Sequence, residues 1–564
     1  MARPGALYPQ VDPGAAGFMD RRLLACSPHL AVGRALALAA AADAQALVVG
    51  ARSVVRREDL ARAAAWGLQR VPVGRLSWEG LPVIAPSTPE VAVRQLLMAG
   101  APMVLVRQSR RALGVIPRPV GEWTLPGLSI AHRLEHATDP ARDACVWLLR
   151  LAGKVGETQG AVVWAVGGFV RDVLLERAAL DLDLVVEGDG PAFARRLADE
   201  IRGRAVVHAA FGTASIEGGA TAGGTALPRI DVATARRERY RAPGALPAVA
   251  PAPLREDLAR RDFSVNAIAM ALGPALFGRL VDPLGAVRDL DRRQLRVLHP
   301  LSFVEDPTRI FRAARYAARL GLGLDAGTRR ALALALAVGG YPALSGQRLV
   351  AELDLIVGEP AGWGALALLL RWGALRVWDP GYRRPARGRE RLRETRRLCQ
   401  WQAARAFLPP PSDTALLGLL VDQRAAVARQ CVARLAITGT RAERLAAAPA
   451  GGRRLGLALE APRRPASEVA RALRDAHPET VAAAWLAGGA RARRRTRWFL
   501  TRGHAVRPLM TAAEVMAAGV PQGPQVGQCL RALRDLRLDG RIRARPQEQR
   551  FVAQWRGRQK GGAK

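Results

Sequence analysis

Asp181 and Asp183 stand two residues apart inside the apolar run LDLDLVV, Leu180–Val186. On a strand, residues i and i+2 face the same way, so both carboxylates project from one face while Leu182 and Leu184 pack on the other. Like charges held that close repel unless something compensates them. The usual compensation is a divalent cation, and hard carboxylate oxygens suit Mg²⁺. Upstream, the run VVWAV ends at Gly167-Gly168, and a short amphipathic segment carrying Arg171 and Asp172 follows. A glycine turn at a helix start leaves backbone N–H groups free for a phosphate. Metal and phosphate beside a carboxylate pair point to nucleotidyl transfer. Taken singly, a Gly-Gly pair is more often a structural turn, and an Asp-x-Asp more often a solvated strand end; the combination at this spacing is the specific signal.

The elements that must position these groups read as strand, glycine turn, helix and strand over Val162–Val186. Pro191–Ile201 has the period of an amphipathic helix, and alternating stretches predict strands at Ala205–His208 and Arg229–Ala233. Asp231 falls inside the second, where an unpaired acid is costly. Tyr240–Asp257 holds four prolines and reads as a loop. Arg260-Arg261-Asp262 follows, with Asn266 just beyond, and by itself it could be an internal ion pair. Ser302–Gly321 reads as one helix with Pro307 in its first turn and Glu305 and Asp306 at its positive end. Asp306 and Arg309, three apart, would be neighbours on that helix. An acceptor beside a planar set of donors can bond the Watson–Crick edge of a base, although an isolated helix would show the same pair as a solvated ion pair.

The series GGFVRD (Gly167–Asp172), DLD (Asp181–Asp183), RRDFSVNA (Arg260–Ala267) and EDPTR (Glu305–Arg309) resembles the polymerase-β-like nucleotidyltransferases. Within them it is similar to the class II, bacterial-type tRNA nucleotidyltransferase and poly(A) polymerase family. The resemblance implies that Asp181 and Asp183 hold two Mg²⁺ ions and that Asp231 is the third acidic position. Gly167, Gly168 and Arg171, with Asp172 in the same motif, would cradle the triphosphate. Arg261 would meet phosphate, Asp262 and Asn266 the ribose hydroxyls, and Asp306 with Arg309 would select the base. Arg312 and Arg315 would extend the basic face. Ser264 keeps the hydroxyl of the family's threonine, Asp282 and Asp289 are structural, and the proline-rich loop would help choose the nucleotide. The implied substrates are ATP, CTP and the 3′ end of tRNA. The outcomes left open are full CCA addition, addition of the terminal A alone, poly(A) tailing, or a nucleotide-sensing protein with an inactive transferase.

Two earlier segments look alike: SPHLAVGRALALAAAADAQALVV (Ser27–Val49) and TPEVAVRQLLMAGAPMVLV (Thr88–Val106). Each reads as a Ser/Thr-Pro pair opening a helix, with Thr88 as N-cap, followed by an apolar strand. The pair resembles tandem CBS-type domains, which implies an adenine nucleotide as a ligand and a route to oligomers; a purely structural module fits the pattern equally.

The expected fold class is therefore multidomain α/β plus all-α. A CBS-like pair spans 1–120, a linker with one helix through Asp143–Leu151 spans 121–159, and a nucleotidyltransferase head with a mixed sheet spans 160–300. A helical neck with the nucleotide-selecting helix spans 301–380, and a helical body and tail that bind tRNA span 381–564. RARRRTRWFL (Arg491–Leu500) and the turn of Gly519, Gly523 and Pro524 are the candidate tRNA contacts there. Among 564 residues, 85 are basic and 49 acidic, a formal net charge of +36, which favours a polyanionic partner over a membrane because the cations are spread along the chain. Only three of the cations are lysines. The five cysteines have no metal-ligand spacing, and the opening residues have no apolar signal core, so a reducing cytoplasm is expected.

Overall fold

The computed structural model describes residues 14–98, 101–117, 124–135, 140–177, 181–221, 223–401 and 406–561. Two compact units divide the chain, Met1–Leu344 and Ser345–Lys564.

The first unit opens with a repeated arrangement. β1 (Leu23–Ala25), α1 (Val32–Ala41), β2 (Ala46–Gly50) and β3 (Ser53–Arg56) lead into α2 (Arg57–Ala65). β4 (Val83–Ile84), α3 (Glu90–Met98), β5 (Met103–Gln108) and β6 (Arg111–Pro117) follow. In each copy the first two strands are parallel, with the helix between them, and the third is antiparallel to the second. Period-2 alternation lets β5 serve two cores. Met103 and Leu105 join Ala46, Val48 and Val54 of the first copy, while Val104 and Val106 pack against Val93 and Leu97 of α3. The helix starts differ from expectation. Ser27-Pro28 forms a turn ahead of α1, whose N-cap is Ala31, and α3 begins at Glu90, so Thr88 lies one residue too early to cap it.

β7 (Thr124–Ser129), α4 (Ala131–Glu135), α5 (Pro140–Thr158), β8 (Val162–Val166), α6 (Gly168–Leu174), β9 (Leu182–Glu187), α7 (Gly190–Glu200), β10 (Arg204–His208), β11 (Thr213–Glu217) and β12 (Ile230–Thr234) begin the head. The ribbon of β13 (Arg236–Arg239) and β14 (Ala248–Pro251), then α8 (Leu254–Ala259), β15 (Ala269–Ala271), β16 (Arg279–Val281) and α9 (Ala286–Asp291) complete it. Its eight-stranded sheet runs β10-β11-β12-β9-β8-β15-β16-β7, with β12 and β9 parallel and the remaining neighbours antiparallel. The stretch read as a linker thus supplies the edge strand β7 and the helix α5, which buries Leu148, Leu149 and Ala152 against the sheet. That approach needs Gly153, because a Cβ there would sit 1.9 Å from the Leu272 carbonyl oxygen. The proline-rich stretch read as a loop contributes β14 to a two-stranded ribbon, a pairing whose partner lies outside the stretch.

The alternation on β9 sets up the site. Leu182, Leu184 and Val186 enter one core with Val163, Ala165, Ile230 and Val232. On the opposite face Val185 enters a second cluster with Leu254, Leu258 and Ala267, and Asp183 stands two residues earlier on that face.

Beyond the sheet, the segment expected to be one helix is two. α10 (Ser302–Glu305) stops at Asp306, which is extended at φ −136°, ψ 95°, and α11 (Thr308–Leu320) starts after Pro307. The residue before a proline is driven out of the helical region. Asp306 and Arg309 are therefore not stacked on a helix face: Asp306 precedes the N-cap Pro307 and accepts from the Thr308 N–H and Oγ1 at 3.1 and 2.7 Å. α12 (Ala326–Val338) follows.

The second unit is helical among its described residues. Its centre is the contact between Gly439–Glu460 and Pro478–Ala487, where a Cβ at Gly452 would meet Ala483 at 2.4 Å. The expected basic segment forms the helix Ala490–Thr501, but Arg491, Arg493 and Arg495 bond within the unit, to the Glu460 carbonyl, Glu390 and the Leu459 carbonyl. Helix Pro524–Leu538 has Gly523 as its N-cap, so the helix expected from Val526 begins two residues earlier. No helix among the described residues is long and apolar enough to cross a membrane.

Candidate active site

Parallel pairing of β9 and β12 sets Asp183 directly beside Asp231. Asp181 shares their face, and Asp181 and Asp183 are exposed without a hydrogen bond or ion pair to a described residue. Burial pushes the Asp183 carboxyl above the usual carboxylate range; Arg261 opposes this, while Asp231 and Asp181 add to it. Water reaches the side chain while protein crowds it. Asp231 is held differently: its Oδ1 accepts from Ser215 Oγ at 2.6 Å and from Arg229 at 3.0 and 3.1 Å. Asp181 and Asp183 share a face as the strand pattern predicts, and Asp231 joins them, but it is engaged, and among the described residues no three acid, His or Cys side chains form a ready metal cage. The neighbouring carboxylates of Asp181 and Asp183, the latter with its proton affinity raised, nevertheless fit a hard divalent cation, which would relieve the crowding of negative charge at Asp183.

Gly167 makes the turn beside them, at φ +64°, ψ −122°, a conformation reserved for glycine. A Cβ there would lie 2.8 Å from Arg261 Nη1. Arg261, steadied by Asp257 at 3.0 Å, therefore lies against the glycine turn and acts on Asp183. Gly168 opens α6 behind it. Arg260, by contrast, is consumed by Asp257 and Glu238, each at 2.6 Å.

The other candidates meet in one buried network. Arg171 donates Nε and Nη2 to Asp172 at 2.8 and 2.9 Å and Nη1 to Asn266 Oδ1 at 2.6 Å. Asn266 donates to Asp262 Oδ1 at 3.0 Å, and Arg312 donates to Asp262 Oδ2 at 2.8 Å. Arg319 closes on Asp172 at 3.1 Å. Tyr316 lies under the guanidinium groups of Arg171, Arg312 and Arg315, 5.1–5.5 Å from its ring centre. Burial alone would raise the Asp262 carboxyl, but Arg312 and Asn266 outweigh it and hold the group below the usual range. Arg171 is thus an internal strut rather than a free cation. Arg312 points to Asp262 rather than simply extending a basic face.

Arg309 is 5% exposed and clamped on three sides. Nη1 donates to Ser302 Oγ at 2.7 Å, and Nη2 to the Tyr240 hydroxyl at 3.2 Å and the Arg260 carbonyl at 3.3 Å. This fixes the plane of its donors beside Asp306. Tyr240, Ser302 and Tyr316 went unnoticed in the sequence; only the short spacing from Tyr240 to the Arg-Arg-Asp motif hinted at the first.

Residues 163–296 match the model of the poly A polymerase head domain. A CC-adding tRNA nucleotidyltransferase of Deinococcus radiodurans is 34% identical over 424 residues, covering 73% of this chain and 93% of that protein. The chain belongs to the tRNA nucleotidyltransferase family. Another relative in the family is an A-adding tRNA nucleotidyltransferase of Geobacter sulfurreducens, 36% identical over 374 residues, which are 62% of this chain and 41% of that protein. The chain spans less than half the length of the A-adding relatives it matches. Among solved structures, the Thermotoga maritima CCA-adding enzyme complexed with tRNA aligns with TM-score 0.61 and 28% identity, over 75% of this chain and 98% of that one. The family match covers the glycine turn, the acidic trio and the Arg-Arg-Asp motif, and the CC-adding relative extends it well beyond the head.

Proposed function

We propose that this protein transfers nucleoside monophosphates from ATP, and from CTP, to the 3′-hydroxyl of tRNA without a nucleic-acid template, completing CCA or its terminal A. The observation that carries the reading is the register that sets Asp183 beside Asp231, with Asp181 on the same face and Arg261 opposite. Asp181 and Asp183 would hold two Mg²⁺ ions, which when bound supply Lewis-acid activation of the attacking hydroxyl and neutralise the leaving pyrophosphate. Asp231 assists that hydroxyl once it exchanges Arg229 for substrate. Gly167 and Gly168 admit the triphosphate, with Arg261 as its cation and Arg171 holding the turn in place through Asp172 and Asn266. Asn266 keeps one amide N–H, and Asp262 its remaining acceptor capacity, for ribose hydroxyls. Asp306 and the clamped Arg309 read the base, and protein side chains act as the template.

Relatives that add A and relatives that add CC both match, so the nucleotide choice is the point to test. Transcripts ending before CCA, transcripts ending after CC, and an unrelated RNA are incubated with labelled ATP or CTP. Incorporation of CTP excludes the A-only reading, and tails on the unrelated RNA indicate poly(A) polymerisation. Labelling unchanged by Asp183→Ala would refute the site. The repeated N-terminal arrangement carries the CBS-like assignment, with an adenine nucleotide as its ligand and self-association as a consequence. ATP binding above one molecule per chain in calorimetry, together with the mass in solution, tests both.

A further inference from the structure

Glu305 precedes Asp306, is 7% exposed, and is shared among four segments of the first unit. Its Oε2 accepts from His299 Nε2 at 3.0 Å and lies 3.6 Å from Arg309 Nη1, just outside a hydrogen bond. Its Oε1 accepts from Arg62 Nη1 at 3.0 Å, a residue 243 positions away on α2 of the N-terminal repeat. Its backbone carbonyl accepts the Gly244 N–H of the proline-rich stretch at 2.8 Å. With Arg62 removed, the buried carboxylate keeps its His299 hydrogen bond and would draw the neighbouring Arg309 guanidinium closer. For Arg309 that means leaving Ser302, Tyr240 and the Arg260 carbonyl, the contacts that set its plane.

We propose that Arg62 is a positioning residue for base selection: by satisfying Glu305 from the N-terminal module, it leaves Arg309 oriented for the incoming base. This rests on the reading of Asp306 and Arg309 as the base-selecting pair, and it makes the N-terminal module part of nucleotide choice rather than an appendage. A cavity of about 730 Å³, lined by Arg62, Trp66, Tyr240, Arg260 and Glu305, adjoins the contact. Water can therefore enter where the guanidinium is removed, and the variant can fold.

The test is steady-state kinetics of the full chain with ATP and with CTP on a transcript ending after CC, alongside thermal unfolding. In Arg62→Ala the ratio of kcat/KM for the two nucleotides should shift about tenfold, the size of one charge-assisted hydrogen bond, chiefly through KM. Arg62→Lys should recover most of the ratio. Arg94→Ala, which removes only a surface pair with Glu90 on α3, should not move it. A ratio within about twofold of wild type in Arg62→Ala, while Arg309→Ala changes it, overturns the inference and leaves the base-reading pair standing. If Arg309→Ala also leaves the ratio unchanged, the base-reading assignment falls and the inference with it.

Discussion

Arg312→Met tests whether the buried network holds the site together. Asp262 is 8% exposed, and Arg312 meets its Oδ2 with both Nε and Nη2 at 2.8 Å. At that separation and an effective dielectric of 20 the gross attraction is about 6 kcal/mol. Asp262 keeps the Asn266 amide and the Phe263 N–H when Arg312 goes, and the arginine itself is one-third exposed, so the net cost is about 2–4 kcal/mol. The sign of its pH dependence follows from the carboxyl. In the wild type it is held below its unfolded value, so its stabilisation is present above that value and is lost as pH falls through the folded one. Without Arg312, burial dominates and raises it, so the variant pays at neutral pH and is relieved as the group takes a proton. Urea unfolding followed by circular dichroism should therefore show a large gap between the two proteins at neutral pH and a smaller one at about pH 4.5. Adding Asp262→Asn to Arg312→Met should recover about 1–2 kcal/mol, because no charge is then stranded. A gap independent of pH, or single-variant losses that simply add, would refute the account.

Asp183→Asn should abolish transfer, with a loss of about a thousandfold or more, yet raise the unfolding temperature, because a carboxyl with a raised folded pKa opposes folding at neutral pH; labelled-ATP transfer and a thermal scan read both. Gly167→Ala should cost about 1–3 kcal/mol and weaken nucleotide binding, since the positive φ is strained and the new Cβ displaces Arg261; calorimetry with ATP checks the second effect. Glu305 is desolvated, yet His299, Arg309 and Arg62 lower it from 4.5 to about 2. Glu305→Gln should therefore lose about 3 kcal/mol at neutral pH, a loss that fades as pH falls from 4.5 toward 2 in paired unfolding curves.

The acidic face was legible because a strand's period of two is a local rule: Asp181 and Asp183 had to share a face once Leu182 and Leu184 were buried. The place of Asp231 beside them was reachable only by analogy, since strand register is set by the whole sheet rather than by the five residues of β12. The single-helix reading of Ser302–Gly321 failed even though a local rule was available. Periodicity continued through Pro307, but the residue before a proline leaves the helical region, and Asp306 did so. The contribution of β7 and α5 to the head was hidden because the pairing partner of β7, strand β16, lies more than a hundred residues downstream.

The use of arginine at this site follows from geometry rather than from the net charge of +36. Arg171, Arg260, Arg309 and Arg312 each spend their donors on protein acceptors, and Arg261 spends part of its fork on Asp257. Buried pairs of this kind contribute little net stability over apolar packing of the same volume. What they fix is orientation: a guanidinium held at several donors keeps its plane, which a lysine ammonium, with its rotatable point charge, cannot do. A site that reads bases with side chains depends on that plane. The cations most available to a polyanion then lie on the exposed surface, such as Arg494 and Arg497 on the helix Ala490–Thr501, which make no ion pair among the described residues. Replacing such surface arginines should weaken RNA binding more at low salt than at high, while leaving nucleotide choice intact.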